Sequence, residues 1–389
     1  MLPDLVALAR DAFLPWSSTQ LLEAARELPS REGIEEEQQG AGAQADPLLE
    51  LLLEHPEQAA AYLPEECWPV DPVERLAAEM SLPPWLAGRL ANEYGEETAR
   101  RLATCLLEPA TLDLRVNLAR VTREEALRRL SGEIGHPVST TPWSPLGLRI
   151  GRRLNLAGTA ASRSGWIEVE DEGSQVIALA VDSPRSGVIV DACAGAGGKT
   201  LALADLVLGP AARRQHAPAS PLIVACDVSR SRLDKLTARA AKAGLENLLR
   251  IVCIPPEGDL PPSVPEADLI LVDAPCSGLG TLRRSPDMKL RHGPEDVDRF
   301  RRLQVAILDR WAPRVRRGGR LAYATCSILR AENEEVAETF GASHPEFAVS
   351  PSEWALEHLP AGCHRQGFIH IDPLLTQTDG FFLALWRKR

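Results

Sequence analysis

From residue 185 onward, short apolar runs alternate with amphipathic helical patterns, and this rhythm limits the fold more than any other feature of the chain. Strands are expected at 188–191, 222–227, 249–253, 267–273, 321–325 and 381–386. Helical patterns are expected between the first five, most clearly at 231–243 and 296–311. Such alternation implies an α/β fold with a doubly wound, mostly parallel sheet. Ligands of these sheets lie outside the carboxyl ends of the strands, near the switch in strand order. Here those ends carry Asp191, Asp227, Asp273 and Thr325-Cys326.

The first strand runs into DACAGAGGKT, Asp191 to Thr200, a glycine-rich turn of the kind that holds nucleotides. The phosphate loop of NTPases needs Gly, four residues, then Gly-Lys-Ser/Thr. Gly198-Lys199-Thr200 supplies the end, but residue 193 is Cys. The dinucleotide pattern also breaks, because Thr200 stands where its third Gly belongs. Asp227 can accept hydrogen bonds from both hydroxyls of a ribose, or cap a helix that begins near Ser229. The glycine-rich turn favours the ribose without closing the alternative. The loop GPAARRQHAPASP accounts for the long gap between Asp191 and Asp227.

Two further strand ends carry thiols. The fourth ends in DAPCSG, with Asp273 and Cys276, and Pro275 stiffens its turn. The fifth ends in YATCS, with Cys326. A single buried Cys is usually an apolar filler. Two thiols and a carboxylate converging on one cleft fit nucleophilic chemistry better. A thiolate needs nearby positive charge or a helix N-terminus, and a helix containing Glu332 to Glu338 is expected to open at Ser327.

The N-terminal part differs in character. Residues 1–100 hold 20 acidic and 6 basic residues, so they carry −14 of the net −11 and the remainder carries +3. Three divisions are expected: 1–110, mostly helical and acidic, with a flexible linker at 31–46; 111–182, a small α/β unit; and 183–389, the regular α/β domain. The excess negative charge repels phosphates, so nucleic acid is expected on residues 111–389. The acidic part reads as a solvated helical cap or a docking surface for a basic protein. Basic clusters at Arg283-Arg284, 299–302, 314–320 and 387–389 read singly as solvated surface. The eight cysteines show no C-x-x-C metal spacing, and reduced thiols in a cytosolic protein are the simplest reading. No apolar run reaches the ~20 residues of a membrane span. The start, MLPDLVALARDAFLPW, lacks the basic n-region of a signal peptide.

DACAGAGGKT, ACDVSRSRL, DAPCSGLGTLRRSPDMK, YATCSILRAENEE and DGFFLALWRK stand in the order, and at about the spacing, of the Sun-type family of RNA cytosine-5 methyltransferases. LRVN at 114–117 and EDEGSQ at 170–175 extend the resemblance over about 111–389. Within that family the chain is most similar to the bacterial RsmB-type enzymes of small-subunit ribosomal RNA. The resemblance implies a Rossmann-like class I methyltransferase domain, S-adenosylmethionine as donor and a cytosine in ribosomal RNA as acceptor. It implies that Cys193, Ala194, Gly195, Ala196, Gly197, Gly198 and Lys199 surround the donor, with Asp227 on its ribose and Arg232 and Asp273 completing the site. Cys326 matches the family's nucleophile and Cys276 the thiol that helps release the product. Asp273 is suited to hold or protonate the nitrogen edge of the base. Arg283, Arg284 and Lys289 are expected to hold RNA. No metal or membrane partner is implied, and a cytoplasmic monomer is expected. A transfer RNA substrate and a non-catalytic assembly factor are the alternatives. The family usually has Ala-Pro where this chain has Gly195-Ala196. At the third strand end the family places an acid near the adenine, whereas this chain reads IVCIPPEGDL, so no adenine contact is assigned.

Overall fold

The computed structural model describes residues 69–208 and 221–389. The expected linker at 31–46, Cys67 and most of the loop after residue 208 lie outside the described residues. The chain divides into two compact units, Met1–Thr104 and Cys105–Arg389. The described part of the first holds helices α1 (Pro72–Glu79), α2 (Pro84–Tyr94) and the start of α3 (Glu96–Leu107). Asp71 caps α1 by accepting from the amides of Val73 and Glu74, and Gly95 stops α2 with φ 79°.

The second unit contains two sheets. The smaller comprises β1 (Leu112–Val116), β2 (Ser139–Thr140), β3 (Gly147–Ile150) and β4 (Ile167–Val169), antiparallel in the order β2-β3-β1-β4. Helix α4 (Arg123–Ile134) seats Ala126 and Leu130 in a core with Leu114, Val116, Leu148 and Ile167. Thr122 caps α4 through the Glu125 amide and Gly135 ends it in the left-handed region.

Helix α5 (Glu172–Ala180) leads into the large sheet. Its parallel strands are β5 (Val188–Asp191), β6 (Leu222–Asp227), β7 (Leu249–Cys253), β8 (Ala267–Asp273) and β9 (Val315–Thr325), in the order β7-β6-β5-β8-β9. The antiparallel strands that follow are β10 (Phe347–Val349), β11 (His364–Arg365), β12 (Phe368–Ile371) and β13 (Phe381–Lys388); β13 lies beside β9. This is a Rossmann-like sheet whose order reverses between β5 and β8. Helices α6 (Gly198–Leu208), α7 (Arg230–Ala243), α8 (Pro294–Trp311) and α9 (Glu334–Ser343) complete the layers. Alternate side chains supply the two faces. Ile189, Ile223, Leu269 and Ala322 join one core, while Val190, Val224, Ile270 and Leu321 join the other.

Two expectations are corrected here. No helix separates β7 from β8, because residues 254–266 contain Pro255, Pro256, Pro261, Pro262 and Pro265, which deny a helix its amides. Nor does a helix open at Ser327. Residues 327–329 are a loop, Arg330–Glu332 is a single 3₁₀ turn, and α9 begins only at Glu334 after Asn333 at φ −114°, ψ −95°.

The segment EDEGSQ joins the two sheets through buried polar contacts. Arg115, 1% exposed, pairs with Glu170 (2.8 Å) and with Asp205 of α6. Glu172 accepts from the amides of Trp143 (2.6 Å) and Ser144 (2.8 Å), and Gln175 Oε1 accepts from the Ser144 hydroxyl. Asn117 donates to the carbonyls of Gly165 and Ala243. Each buried polar group thereby finds the partner that burial demands.

Candidate active site

The carboxyl ends of β5, β6, β8 and β9 meet around the turn after β5. That turn is fixed by its neighbours: the Ala192 amide donates to Leu271 O and the Ala194 amide to Cys226 O, both at 2.8 Å. Gly195 and Gly197 take φ +53° and +92°, which side chains rarely adopt. A Cβ on Gly197 would strike Leu236 Cδ1 at 2.1 Å, so only Gly lets the turn rest on α7.

Asp227, 5% exposed, accepts from the Gly195 amide through Oδ2 (2.8 Å) and from the Ser229 amide through Oδ1 (2.7 Å). It does not cap α7, whose N-cap is Ser229 with no side-chain cap bond; the carboxylate closes the turn before that helix and faces the glycine turn. Arg232 lies exposed on the first turn of α7.

Lys199 and Asp273 form an ion pair (Nζ–Oδ2 2.8 Å), with Nζ 5.2 Å from the centre of the Phe381 ring. Burial pulls the Lys199 ammonium down, but the charges of Asp273 and Cys326 outweigh it and leave the pKa raised. Behind them, burial pushes the Asp191 carboxyl up to about 7 despite a hydrogen bond from the Thr200 hydroxyl (2.7 Å). Burial, then the surrounding carboxylates, push the Cys193 thiol well above its ordinary value. Cys193 is thus a neutral, small wall of the turn.

The sulfurs of Cys276 and Cys326 stand 3.3 Å apart. The hydrogen bond to Cys326 is the largest cause that raises the Cys276 pKa, followed by burial and by the Cys326 charge. Cys276 is therefore held as a thiol. The Gly280 amide donates to Cys326 O (2.9 Å), which brings the two cysteine loops into backbone contact. Sequence reasoning missed Glu332, whose buried carboxylate contacts both loops. Its only sequence signal is a place in the same motif as Cys326.

The three expected RNA ligands separate. Arg284 bonds Asp379 Oδ2 (2.8 Å), Asp171 Oδ2 and Thr111 O, so its charge is spent inside the protein. Arg283 donates to Gln377 O (2.7 Å). Lys289 has no hydrogen bond or ion pair among the described residues, and burial alone depresses its pKa. A half-buried cation without an anion suits a phosphate.

Two residues that sequence reasoning did not single out border the glycine turn. Arg239 of α7 donates to Ala196 O (2.6 Å) and holds Glu168 of β4 (2.8 Å), tying the turn to the small sheet. Val228, 51% exposed beside Asp227, offers an apolar face. At the third strand end, the Arg310 guanidinium of α8 donates to the carbonyls of Pro255 and Pro256, so that turn is held by a side chain.

The comparisons with known proteins agree on one family. A family model described as 16S rRNA methyltransferase RsmB/F matches residues 177–387, and an RsmF/B-like ferredoxin-like domain matches 82–157. A probable ribosomal RNA small subunit methyltransferase B of Bacillus subtilis is 33% identical over 320 residues, covering 82% of this chain and 69% of its own length. The crystal structure of PH0851 superposes with a TM-score of 0.71 at 27% identity, covering 87% of this chain and 75% of that one. NSun6 from Pyrococcus horikoshii with SFG gives 0.67 at 20% identity, covering 79% and 98%, and shares the fold.

Proposed function

The chain belongs to the 16S rRNA methyltransferase RsmB/F family, and we propose that it methylates carbon 5 of a cytosine in small-subunit ribosomal RNA through a covalent cysteine–cytosine adduct. The methyl donor is S-adenosylmethionine, which supplies an electrophilic methyl group on a sulfonium. The pocket fits it. Asp227 and Asp273 set two carboxylates against one lysine, a balance suited to the donor's single net positive charge. A Cβ on Gly195 would meet nothing nearer than 4.0 Å and one on Gly198 nothing at all within 4 Å, so open space lies over both glycines. Asp227 would hold the ribose hydroxyls, Val228 would pack on the adenine, and the 193–199 turn would lie along the amino-acid part.

The observation that carries the reading is the pair of thiols at neighbouring strand ends, 3.3 Å apart, beside the Lys199–Asp273 pair. Carbon 5 of cytosine is a poor nucleophile. The Cys326 thiolate adds at carbon 6 and, with a proton at ring nitrogen 3, turns the ring into an enamine that is nucleophilic at carbon 5. Asp273 keeps Oδ1 for the nitrogen edge of the base while Oδ2 stays with Lys199, whose ammonium can supply the proton. Cys276 remains a thiol as long as Cys326 is a thiolate. Once Cys326 is consumed as a thioether, the largest cause that raised the Cys276 pKa and the Cys326 charge are gone, while burial remains. Cys276 then becomes the group suited to remove the proton from carbon 5, which lets Cys326 leave. The target cytosine must be unpaired or flipped out to reach both sulfurs. Lys289 supplies charge for a flanking phosphate.

The test separates the two thiols. Cys326→Ala is expected to abolish methyl transfer, and Cys276→Ala to accumulate a protein–RNA adduct that survives a denaturing gel. Normal turnover by Cys326→Ala sinks the assignment. Bisulfite mapping of ribosomal and transfer RNA from cells with and without the gene names the cytosine. A site found only in transfer RNA replaces the substrate.

A further inference from the structure

Cys276 and Cys326 lie on different loops, which touch through the Gly280 amide and Cys326 O at 2.9 Å but need a second tie beside the sulfurs. One fully buried carboxylate stands between them. Glu332 is 0% exposed. Its Oε1 accepts from the Ser277 amide (2.8 Å) and from Gln304 Nε2 (3.2 Å). Its Oε2 accepts from the hydroxyls of Ser277 (2.5 Å) and Ser327 (2.6 Å). Ser277 directly follows Cys276, and Ser327 directly follows Cys326. Gln304 Nε2 also donates to Pro275 O (2.9 Å), so the residue before Cys276 is held as well.

The glutamate is itself immobilised. The buried Tyr323 hydroxyl donates to the Glu332 carbonyl. The next residue, Asn333, brackets the other side of Cys326, donating to Ser327 O (2.9 Å) and accepting from the Thr325 hydroxyl (2.5 Å). All four contacts to the Glu332 side chain come from donors, which an acceptor-only carboxylate satisfies. A glutamine of the same shape would turn its NH₂ toward the two serine hydroxyls and exchange their charge-assisted hydrogen bonds for weaker neutral ones, without opening a cavity.

We propose that Glu332 is a positioning residue for the reaction: through Ser277 and Ser327 it clamps the two cysteine loops together and sets the approach of the Cys276 and Cys326 sulfurs. The inference rests on the reading of these thiols as release group and nucleophile. It predicts that loss of the clamp slows chemistry while leaving donor and RNA binding intact, since Glu332 touches neither the glycine turn nor Lys289.

Three variants test it: Glu332→Gln, Glu332→Asp, and the double variant Ser277→Ala/Ser327→Ala, which keeps the carboxylate but removes its hydroxyl donors. The first readout is single-turnover methyl transfer with saturating donor and RNA. Misplacement of reacting groups by about 1 Å costs on the order of 10²-fold, and this loss is expected for Glu332→Gln and for the serine pair. Affinities for S-adenosylhomocysteine and RNA should stay within about threefold of wild type. Glu332→Asp, still acceptor-only, should recover more activity than Glu332→Gln.

The second readout needs no substrate. Diamide takes one proton and one electron from each thiol to close a Cys276–Cys326 disulfide, itself becoming the hydrazine. Closure followed by mass spectrometry should be at least about tenfold slower in Glu332→Gln, because the effective concentration of one thiol at the other falls. Wild-type rates in both readouts for Glu332→Gln overturn the proposal. So does loss of methyl transfer matched by equal loss of donor binding, which marks general disruption. If Glu332→Gln fails to fold, the serine pair decides alone by the same two rates. A Cys326→Ala enzyme that still methylates would remove the reading of the thiols, while the diamide rate would still report on the clamp.

Discussion

Gly280→Ala is a one-carbon perturbation aimed at the point where the two cysteine loops touch. Gly280 has no positive φ, so its backbone accepts Ala and the effect is purely steric. The added Cβ would lie 2.2 Å from Gly380 O and 2.8 Å from Cys326 O, whereas ordinary contacts begin at 3.4 Å. Both obstacles are backbone atoms, so relief requires the loop itself to move by roughly 1 Å. That movement strains two hydrogen bonds, from the Gly280 amide to Cys326 O (2.9 Å) and from the Gly380 amide to Gly280 O (2.8 Å). Two weakened buried hydrogen bonds plus overpacking amount to on the order of 3–5 kcal/mol. In a chain of this size the midpoint of thermal unfolding should fall by roughly 5–10 °C. Displacing Cys276 from Cys326 by the same distance should slow single-turnover methyl transfer by about 10²-fold. The assay pairs urea and thermal unfolding with quenched-flow methylation, using Gly132→Ala as control. Gly132 lies within α4 with nothing inside 4 Å of its Cβ position, so Ala there should be neutral or slightly stabilising. A Gly280→Ala enzyme that melts with wild type and reacts at its rate would show that the loops do not depend on this contact, and the steric reasoning would fail.

Four further outcomes are expected. Asp227→Ala should weaken binding of S-adenosylhomocysteine by about 10–100-fold in calorimetry, since charge-assisted hydrogen bonds are lost; unchanged affinity would remove the ribose role. Lys289→Ala should lower RNA affinity and reduce its log-salt slope by about 1 without changing donor affinity; a matching loss with free donor would contradict this. Arg284→Ala should destabilise by about 3–5 kcal/mol, because Asp171 and Asp379 lose their shared cation. Burial, then Asp171, already push the Asp379 carboxyl up to about 7 and loss of Arg284 pushes it higher, so this deficit should shrink in urea titrations as pH falls toward 7 and the variant takes up the proton first. His370 has its pKa pulled down to about 4, first by burial and then by Arg365. The unfolded chain therefore binds the proton more readily between pH 6.5 and 4, and stability should fall as pH drops through that window by on the order of 3 kcal/mol. His370→Phe should flatten that part of the profile, and identical slopes would show that His370 does not titrate this way.

The sequence by itself determined the α/β alternation, the strand ends that carry Asp191, Asp227, Asp273 and Cys326, and the motifs that point to the family. These were legible because a buried strand announces itself by a continuous apolar run and because the chemistry-bearing residues sit next to those runs. The sequence did not determine which polar residues face one another. Arg284 looked free for phosphate, yet the fold surrounds it with Asp171, Asp379 and Thr111 O from distant segments. The thiols were expected to draw on a helix opening at Ser327, but that helix starts at Glu334, and the intervening turn instead directs Glu332 inward between Ser277 and Ser327. The missing helix between β7 and β8 was readable from its prolines, and the regular rhythm around it outweighed them. Local periodicity fixes elements because it depends on neighbours within a few residues. The partners of a buried charge come from segments tens of residues apart, and only the packed tertiary structure, where each desolvated donor must find an acceptor, decides them.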